Sequence, residues 1–485
     1  MTADVVVVGA GAAGCVVARR LAEHPSRSVL LLEAGPDLRA APRPELHEAW
    51  GFPRDFEWKF DSEPHAGGEV LNLRRGKLVG GTGWVTRFGV RGSPRDYDAW
   101  ADVGNEGWTF EDVLPYLNRI ETDLDFGREP WHGDRGPIPV NRYLGEELSE
   151  IATAATEAAL SLGFPPVDDH NRPGAIGVGR MPMTSRDGRR VTTADAYLND
   201  VPSNLTIRSD AEVAEVLFDR SRACGVRLTD GREIDAGHVV LSAGVYGSPA
   251  ILMRSGIGPA DHLRSVGVDV RVELDGVGSN LADHPQVEID VSYSGPSRAE
   301  PLLHSMATFH SDGSASAEAP DLMLWWSDPE AGDEEFIVEA LLLKPHCRGT
   351  VRLRSSAASD KPRIALPRPD EADVRKLSIG YARAAELVMH EKVHRFCDAA
   401  EILTGNALTE FVRSTTYSIP HVVGTCSMGV SPEGGAVVDS EGFMHGADGL
   451  SVIDASIIPE PPSGFPHLIT IMVAERLADE LVSAL

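Results

Sequence analysis

A glycine-rich turn near the amino terminus has the residue types and the spacing that binding a pyrophosphate requires. Asp4 is followed by four consecutive valines, typical of a strand buried on both faces, and then by Gly9-Ala-Gly11-Ala-Ala-Gly14. Gly9 permits a tight turn, Gly11 lets the backbone approach a pyrophosphate, and Gly14 lets the next helix pack against the strand. The amino terminus of that helix offers unpaired N–H groups and a partial positive charge to the phosphates.

An acidic residue follows the next predicted strand at the position expected for a dinucleotide site. The apolar run Val29-Leu-Leu-Leu32 ends in Glu33, nineteen residues after Gly14. A carboxylate there suits a hydrogen bond from a ribose hydroxyl and repels a 2′-phosphate. A glycine-rich turn alone is weak evidence, but the two strands, the turn, the helix and Glu33 together indicate a site for an ADP-containing dinucleotide. The alternative is a βαβ unit that binds nothing.

A second loop dense in glycine and hydroxyl groups lies at 74–83. Such a loop brings backbone N–H groups close to a flat or anionic ligand. Beyond it, Arg91 and Asp98 are interpreted as a solvated surface ion pair. The segment 189–198 is interpreted as a helical turn that could close over a cofactor.

Composition and charge limit the class of protein. The 485 residues predict two intimately joined domains, and 73 acidic against 45 basic residues give a formal charge of −28. This acidity argues against nucleic acid or anionic lipid as the main partner. Five scattered cysteines without a CxxC pair fit reduced thiols and predict neither a disulfide framework nor a metal site. No signal peptide or membrane-spanning run is apparent, so we expect a cytoplasmic protein, with peripheral attachment to a membrane partner left open.

The chain pattern predicts an α/β region followed by an α+β region. Residues 1–285 are assigned mainly to the dinucleotide-binding domain, 286–406 to an antiparallel sheet with covering helices, and 407–485 to a return to the first domain. The individual elements predicted are a short strand at 55–60, helices at 109–120, 147–162 and 371–390, a meander of strands at 205–208, 213–218 and 224–228, longer strands at 287–293, 321–326, 336–344 and 349–353, and a buried last helix from about Leu468.

Five ordered motifs resemble those of the glucose–methanol–choline (GMC) flavin oxidoreductases, and the match runs almost end to end. They lie at 75–92, 244–258, 277–285, 421–425 and 449–475. The resemblance implies FAD, a Rossmann-like FAD-binding domain of discontinuous chain and an antiparallel-sheet substrate domain. The segment after Pro285 is short for the family, which implies a more open or differently walled pocket. In size and overall appearance the chain resembles the compact actinobacterial branch associated with mycofactocin, a peptide-derived redox cofactor.

The resemblance also implies a pair of catalytic histidines. His421, in an HxxGT motif, matches the position of the base that takes the alcohol proton, and His467 matches its substrate-orienting partner. His467 precedes the last helix, whose amino-terminal dipoles could stabilise negative charge on a reduced flavin. Without the resemblance either side chain would be taken as structural, and His284 and His445 are assigned structural roles.

The same comparison of motifs implies a set of cofactor-binding residues. Asp454 resembles the residue that binds the flavin's ribityl chain, although a helix or turn cap is the alternative. Thr86 replaces an Asn that usually contacts the flavin, and Val85 stands where some members carry a flavin-linked His, so we expect non-covalent FAD. The full set is Gly9, Gly11, Ala12, Ala13, Gly14, Glu33, Ala34, Arg75, Gly80, Gly81, Thr82, Thr86, Val213, Ala243, Gly244, Asp454, Ala455, His467 and Leu468.

These resemblances predict an FAD-dependent oxidoreductase that moves hydride from a CH–OH donor to flavin N5. The specific expectation is a dehydrogenase that reoxidises reduced mycofactocin and passes electrons to a respiratory acceptor. The alternatives are a small-alcohol or choline-type oxidase or dehydrogenase, a non-redox flavin lyase on the same fold, and a non-catalytic binding protein. Choline needs a negative or aromatic cage, and no pattern in the sequence points to one. Trp325 and Trp326 are expected in the core.

Overall fold

The computed structural model describes residues 2–39, 54–64, 68–143, 148–295, 303–314, 316–327, 335–397 and 400–485. Within these residues two seven-stranded sheets organise the molecule. Parts of both sheets border one cavity.

The first sheet is built on the amino-terminal strand, and its valines pack into a buried core. The strands on either side of it run parallel to it, and two more strands continue the sheet as an antiparallel meander. In spatial order the strands are Leu205–Arg208, Val29–Leu32, Thr2–Val8, Glu233–Leu241, Arg222–Leu228 and Val213–Asp219, with Leu450–Val452 paired in parallel to the end of Glu233–Leu241.

Two local predictions differ from the observed first half of the chain. Leu205–Arg208 does not belong to the predicted meander, because it pairs in parallel with Val29–Leu32. The sequence of a four-residue strand does not show whether the strand pairs in parallel or antiparallel. Its pairing therefore depends on how the rest of the chain folds around it. The predicted strand at 55–60 is instead a 3₁₀ turn at Arg54–Phe56 followed by a short strand at Phe60–Asp61.

The second sheet consists mainly of antiparallel strands, as predicted for this part of the chain. In spatial order its strands are Tyr417–Ser418, Pro285–Ser292, Glu335–Leu342, Leu322–Ser327, Leu303–Phe309, Val178–Arg180 and Pro166–Val167. Two of these strands come from well before residue 285, so the sheet draws on chain from both sides of the predicted boundary. The division at 285 and 406 stays a prediction.

The two faces of the second sheet have different partners. Ile289, Leu324 and Val338 on one face pack with the helices Glu150–Ser161 and Glu371–Met389. The alternating positions Met323, Trp325 and Leu341 pack instead with Val90 and Phe465. This second face, which we call the inward face, is the one that borders the cavity.

The other elements complete the two layers. The helices are Ala12–Leu21, Pro94–Asp102, Phe110–Ile120, Glu150–Ser161, Thr193–Tyr197, Gly244–Arg254, Ala260–Ser265, Glu371–Met389, Glu391–His394, Gly405–Thr415 and Pro466–Ala484, with 3₁₀ turns at Arg54–Phe56, Gly81–Trp84, Pro432–Gly434 and Ala455–Ile457. Small two-stranded sheets pair Phe60–Asp61 with Asn72–Leu73, Glu121–Asp123 with Ile138–Val140, Ser185–Arg186 with Arg189–Arg190, Ile257–Gly258 with Val272–Glu273, and Thr350–Arg352 with Arg363–Ala365. Among the described helices, none combines the length and the apolarity needed to cross a bilayer.

The predicted surface ion pair of Arg91 and Asp98 is wrong. Arg91 is buried, and its guanidinium lies 3.3 Å from Glu121 and donates to the Trp131 carbonyl oxygen at 2.6 Å. Asp98 accepts from the Phe110 backbone N–H instead, at 2.9 Å. The partner of Arg91 is 30 residues away in sequence, which local spacing could not reveal.

Candidate active site

A cavity of about 960 Å³ lies where the glycine-rich turn, the last helix and the inward face of the second sheet meet. Its volume is at the upper end of the range of ligand pockets, roughly 300–1,000 Å³. Most of the residues predicted to bind a cofactor, and both histidines predicted to do chemistry, line this same cavity.

The glycine-rich turn has the geometry of a phosphate cradle. Gly9 adopts a left-handed φ of +97°, and a Cβ there would lie 2.5 Å from the Ser242 carbonyl oxygen. A Cβ at Gly14 would collide with the Gly9 carbonyl oxygen, so helix and strand pack closely there. A Cβ at Gly11 would meet nothing within 4 Å, because that side of the backbone faces the cavity. The three glycines thus occupy the positions that a bound pyrophosphate requires.

Glu33 lines the cavity at the end of the second strand. Its two carboxylate oxygens accept hydrogen bonds from the backbone N–H groups of Ala10 and Gly35, both at 2.9 Å. Burial raises the pKa of Glu33 to about 7, against these hydrogen bonds, which favour the charged form. The carboxyl is therefore held in place beside the turn, where a ribose hydroxyl can reach it.

The second glycine loop packs directly on the first. The Gly80 N–H donates to the Ala10 carbonyl oxygen at 2.7 Å, and a Cβ on Gly81 would lie 2.8 Å from the Gly11 Cα. Thr82, Val85 and Thr86, which follow on the 3₁₀ turn and just after it, line the cavity. Close backbone contact between the two loops explains why both are rich in glycine.

Asp454 performs the capping role that was the alternative to ligand binding. Its carboxylate accepts hydrogen bonds from the Gly244 N–H at 2.8 Å, the Ser248 hydroxyl at 2.6 Å and the Ser456 N–H at 2.8 Å. Asp454 also lines the cavity, at the amino-terminal end of the helix Gly244–Arg254.

His421 and His467 both line the cavity. Burial lowers the pKa of His467 to about 4, with the positive charge of Arg190 as a smaller cause, and it lowers the pKa of His421 well below the usual value near 6.5. Both rings are therefore neutral at pH 7. A neutral imidazole has one nitrogen that can accept a proton, which is what a general base needs.

A second histidine contacts His421 directly. His284 Nδ1 lies 3.2 Å from His421 Nδ1, and the two rings meet edge to face with their centroids 5.3 Å apart. Asp283 holds the backbone of both, since its Oδ1 accepts from the His284 N–H at 2.8 Å and from the His421 N–H at 2.7 Å. The other oxygen of Asp283 accepts from the Ser418 hydroxyl.

This contact determines which nitrogen of His421 carries hydrogen. His284 Nε2 lies 3.0 Å from the Pro462 carbonyl oxygen, which can only accept, so Nε2 is the protonated nitrogen of His284. Burial lowers the pKa of His284 to about 4, so its ring is neutral and its Nδ1 has only a lone pair. The hydrogen between the two rings therefore belongs to His421 Nδ1, and His421 Nε2 is left unprotonated.

An aromatic wall continues from His421 to the inward face of the second sheet. The Phe465 ring lies 4.6 Å from His421 and 5.5 Å from Trp325, measured between centroids. Phe88 contacts both Phe465 and Trp325, at 5.2 and 5.5 Å. Both tryptophans are buried in hydrophobic clusters, as predicted, and Trp325 also lines the cavity, next to its cross-strand partner Glu339.

Most of the predicted site residues come together on the cavity wall. Gly14, Gly80 and Leu468 do not line it: Gly14 is behind the turn, Gly80 is bonded to Ala10, and Leu468 is in the hydrophobic core. The predicted residues that line the cavity are Gly9, Gly11, Ala12, Ala13, Glu33, Ala34, Arg75, Gly81, Thr82, Thr86, Val213, Ala243, Gly244, His421, Asp454, Ala455 and His467. Their roles at the cofactor stay proposals.

Three residues of the site were missed from the sequence. His284 was assigned a structural role, and Trp325 and Glu339 were not assigned to the cavity. The only sequence signal for His284 is its Asp-His-Pro motif, which contains no information on its neighbour in space. Glu339 and Trp325 lie within apolar strands, and only the strand register shows that they face the cavity together.

Comparisons with known proteins agree along the whole chain. Two family models, both described as GMC oxidoreductase, match residues 3–286 and 345–474. The 5-(hydroxymethyl)furfural oxidase of Methylovorus sp. is 32% identical over 99% of this chain and 98% of its own length. The oxygen-dependent choline dehydrogenase of Escherichia coli is 32% identical over 99% of this chain and 95% of its own. The crystal structure of pyridoxine 4-oxidase from Mesorbium loti superimposes with a TM-score of 0.91 at 30% identity, covering 99% of both chains.

Proposed function

Because the chain belongs to the GMC oxidoreductase family, we propose that it oxidises an alcohol at this cavity with His421 as the proton acceptor. The enzyme is an FAD-dependent oxidoreductase. The observation that carries the proposed mechanism is the 3.2 Å contact between the Nδ1 atoms of His421 and His284, since the tautomers assigned above leave His421 Nε2 as the unprotonated nitrogen of a cavity-lining ring.

The residues of the cavity fit FAD. In this proposal the open side of Gly11 receives the pyrophosphate, Glu33 accepts from the adenosine ribose, and the second glycine loop lies against the ring system. When bound, FAD supplies the acceptor for the hydride that leaves the substrate carbon. Val85 offers no atom for a covalent link at the position where some relatives have a histidine, so we propose that FAD is held without one.

The proton of the alcohol goes to His421. As the hydroxyl O–H bond breaks, its hydrogen passes to His421 Nε2, and the oxygen–carbon bond of the donor becomes a carbonyl as hydride leaves the carbon. The protonated ring then carries hydrogens on both nitrogens, with His421 Nδ1 still donating to His284. Loss of a proton and a hydride balances the oxidation of an alcohol to an aldehyde or ketone.

His467 is proposed to orient the hydroxyl. It lies in the first turn of the helix Pro466–Ala484, where the backbone N–H groups of the helix are not used within it. Its neutral ring can donate one hydrogen bond to the substrate oxygen, and the partial positive charge of the helix end favours negative charge nearby. His467 thus assists His421 without itself taking the proton.

The finer assignment is also a proposal. We propose a dehydrogenase that reoxidises reduced mycofactocin and passes electrons to a respiratory acceptor, which is supported by the compactness of the chain and by the cavity volume of about 960 Å³. The competing assignment is a small-alcohol or choline-type enzyme, which the names of the relatives support. The free cysteines of the described chain support a proposed location in a reducing compartment such as the cytoplasm.

Anaerobic mixing of the FAD-loaded enzyme with candidate donors tests the proposed function. Small alcohols, aminoalcohols and reduced mycofactocin are each mixed with the enzyme while the flavin absorbance is followed. Bleaching by one of them supports alcohol oxidation, and the donor that bleaches fastest decides between the finer assignments. A flavin that stays oxidised with every donor while the enzyme cleaves a hydroxynitrile would establish the lyase alternative instead. Subsequent mixing with air then separates an oxidase, which reoxidises quickly, from a dehydrogenase.

A further inference from the structure

The segment shortly before the last helix is held by side chains from distant parts of the chain. Residues 459–463, which we call the proline segment, read Pro-Glu-Pro-Pro-Ser, and their three prolines have no N–H with which to join a helix or a sheet. The carbonyl oxygens of the prolines accept hydrogen bonds from side chains instead. The donors are Asn280 Nδ2 at 2.9 Å for Pro459, Lys344 Nζ at 2.8 Å for Pro461 and His284 Nε2 at 3.0 Å for Pro462.

A buried carboxylate holds the end of the proline segment. Asp96 lies in the first turn of the helix Pro94–Asp102, and its side chain is fully buried. Its Oδ2 accepts hydrogen bonds from the Ser463 N–H at 2.8 Å and from the Ser463 hydroxyl at 2.5 Å. Its Oδ1 accepts from Lys344 Nζ at 2.5 Å. Lys344 therefore acts on the segment twice, directly at Pro461 and through Asp96 at Ser463.

Lys344 supplies the positive charge that this carboxylate needs. Burying a carboxylate without a cation is strongly unfavourable. Among the residues that the structure describes, Lys344 is the one cation within ion-pair distance of Asp96. Lys344 follows the strand Glu335–Leu342, so the ion pair also joins the second sheet to the proline segment. Neither Lys344 nor Asp96 lines the cavity.

His284 connects the proline segment to the proposed base. The Pro462 carbonyl, which fixes the hydrogen of His284 on Nε2, lies between the two residues that Lys344 and Asp96 hold. The other ring nitrogen of His284 contacts His421 Nδ1 at 3.2 Å. Turning the Pro462 carbonyl away would leave His284 without its acceptor and would allow both of its tautomers.

The charge of Lys344 acts on His284 as well. Burial first, and the positive charge of Lys344 second, lower the pKa of His284 to about 4, whereas the negative charge of Asp96 opposes this. The other ionisable groups that the structure places against His284 are His421 and Asp283, and burial raises the pKa of Asp283 to about 6. A proton on His284 Nδ1 would force His421 Nδ1 to accept and would place the hydrogen of His421 on Nε2.

We propose that Lys344 is a positioning residue of the reaction, which together with Asp96 holds the proline segment against His284. In this arrangement His284 Nδ1 remains a hydrogen-bond acceptor, and His421 Nε2 stays free to take the proton of the alcohol. The inference rests on the proposed function and goes beyond it, because it assigns control of the base to an ion pair outside the cavity.

Two substitutions in this ion pair should act in opposite directions. Lys344→Met removes a positive charge near His284, so the pair of His284 and His421 should take up a proton at a pH about one unit higher or more. Asp96→Asn removes a negative charge and leaves the lysine, so the same pair should take up its proton at an equal or lower pH. General loosening of the proline segment would shift both variants in the same direction.

The test follows the histidine rings without any substrate. The oxidised, FAD-loaded enzyme is labelled with ¹⁵N in its histidines, and NMR records the pH at which the rings of His284 and His421 are protonated. The matched control is Lys376→Met, because Lys376 is also partly exposed and pairs with Asp321 at 3.0 Å on the other side of the sheet. The double variant Lys344→Met/Asp96→Asn leaves no unpaired buried carboxylate, so it replaces Lys344→Met if that variant does not fold.

The double variant should show a smaller rise in the protonation midpoint than Lys344→Met, because the charge of Lys344 affects His284 more than that of Asp96. Lys376→Met should show no rise. In stopped-flow reduction by a donor that bleaches the flavin, Lys344→Met should lower the limiting rate several-fold, lose rate at a higher pH than wild type on acidification, and bind the donor within a few-fold of wild type.

An unchanged midpoint in Lys344→Met, or in the double variant that replaces it, overturns the proposal. A shift in the same direction in Lys344→Met and Asp96→Asn, or an equal shift in Lys376→Met, overturns it as well. If the midpoints shift as expected but no alcohol bleaches the flavin, the control of His284 by Lys344 stands and the proposed function fails.

Discussion

Neighbouring groups determine which nitrogen of His421 is free to act as the proposed base. The Pro462 carbonyl fixes the hydrogen of His284, and His284 in turn fixes the hydrogen of His421. Asp283 fixes the backbone of His284 relative to that of His421, because one of its oxygens accepts hydrogen bonds from both N–H groups. The reactive nitrogen of His421 is therefore selected by a chain of hydrogen bonds that ends at a backbone carbonyl, which does not titrate.

Substitution of His284 tests this selection. His284→Ala removes the acceptor for the His421 Nδ1 hydrogen, so part of the enzyme adopts the wrong tautomer and flavin reduction slows by about 10-fold or more. His284→Asn keeps an oxygen near the position of Nδ1 and should recover much of the rate. Stopped-flow reduction under anaerobic conditions measures both variants, with substrate affinity determined from the same data.

His445→Ala is the matched control, because the ring of His445 donates from Nε2 to the Gly429 carbonyl oxygen, at 3.0 Å, in another part of the molecule. It should leave the reduction rate unchanged. A rate for His284→Ala equal to that of wild type would show that the tautomer of His421 is set in another way. The same conclusion would follow if the Asn variant were as slow as the Ala variant.

The first and last helices pack against each other, and both begin at the wall of the cavity where FAD is proposed to bind. Ala12–Leu21 begins at the glycine-rich turn, and Pro466–Ala484 begins beside His467. Glu475, fully buried between them, accepts two hydrogen bonds from Arg20, at 2.8 and 2.9 Å, and one from Tyr197 at 2.7 Å. Arg119 lies 3.1 Å from the same carboxylate.

Glu475→Gln should destabilise the protein by about 2–4 kcal/mol, because it leaves two guanidinium groups without their shared counter-ion. Urea denaturation followed by tryptophan fluorescence and by flavin release measures the loss. Glu480→Gln on the same helix, where the nearest charge is Arg476 at 3.8 Å, is the control and should shift the midpoint little. An unchanged midpoint in Glu475→Gln would show that apolar packing alone holds the two helices together.

The sequence predicts correctly those helices and strands that are marked by residues close together in the chain. The valine run, the glycines and Glu33 lie within 33 residues and define strand, turn, helix and acidic end without help from the rest of the chain. The helices at 109–120 and 371–390 were predicted to within a few residues because capping residues and apolar spacing mark them. Arg91 was misplaced, since its partner comes from a strand pair that forms only when distant segments meet.

The site residues that the sequence did not predict were missed for the same physical reason, since their neighbours are distant in sequence. Glu339 faces Glu288 and Trp325 because three strands pair in one register, and a shift of one residue would turn Glu339 to the opposite face. His284 meets His421 across 137 residues of sequence. The histidine pair at 421 and 467 was identified through family motifs, not through any local pattern that distinguishes a base from a structural histidine.

The whole molecule is organised around a cavity that both sheets border. The first sheet contributes the glycine-rich turn and Glu33, and the second contributes Trp325 and Glu339. If FAD binds there as proposed, it would contact both layers, and its removal should loosen the molecule as a whole and not only the loops at the site. The folded state should be stabilised by about 1.4 kcal/mol for each tenfold excess of free FAD over its dissociation constant.

Stripping the cofactor and adding it back measures this coupling. Acid precipitation should release all of the yellow colour, as expected for non-covalent FAD. The unfolding midpoint of the stripped protein should rise with FAD concentration and much less with FMN, which lacks the adenosine that Glu33 is proposed to bind. Colour retained in the precipitate would contradict non-covalent binding, and equal stabilisation by FMN would contradict the role of Glu33.

The rate of anaerobic flavin reduction in His421→Ala is the most direct test of the account, because it isolates the proton transfer on which the proposed mechanism depends. The variant should bind FAD as the wild type does and be reduced by the same alcohol about 10²–10⁴-fold more slowly, the usual scale for loss of a general base. In the wild type, the rate should stay constant as the pH falls from neutral to about 6.5, since burial lowers the pKa of His421 below that value. A His421→Ala enzyme that retains FAD and is reduced at the wild-type rate would contradict the assignment of His421 as the base.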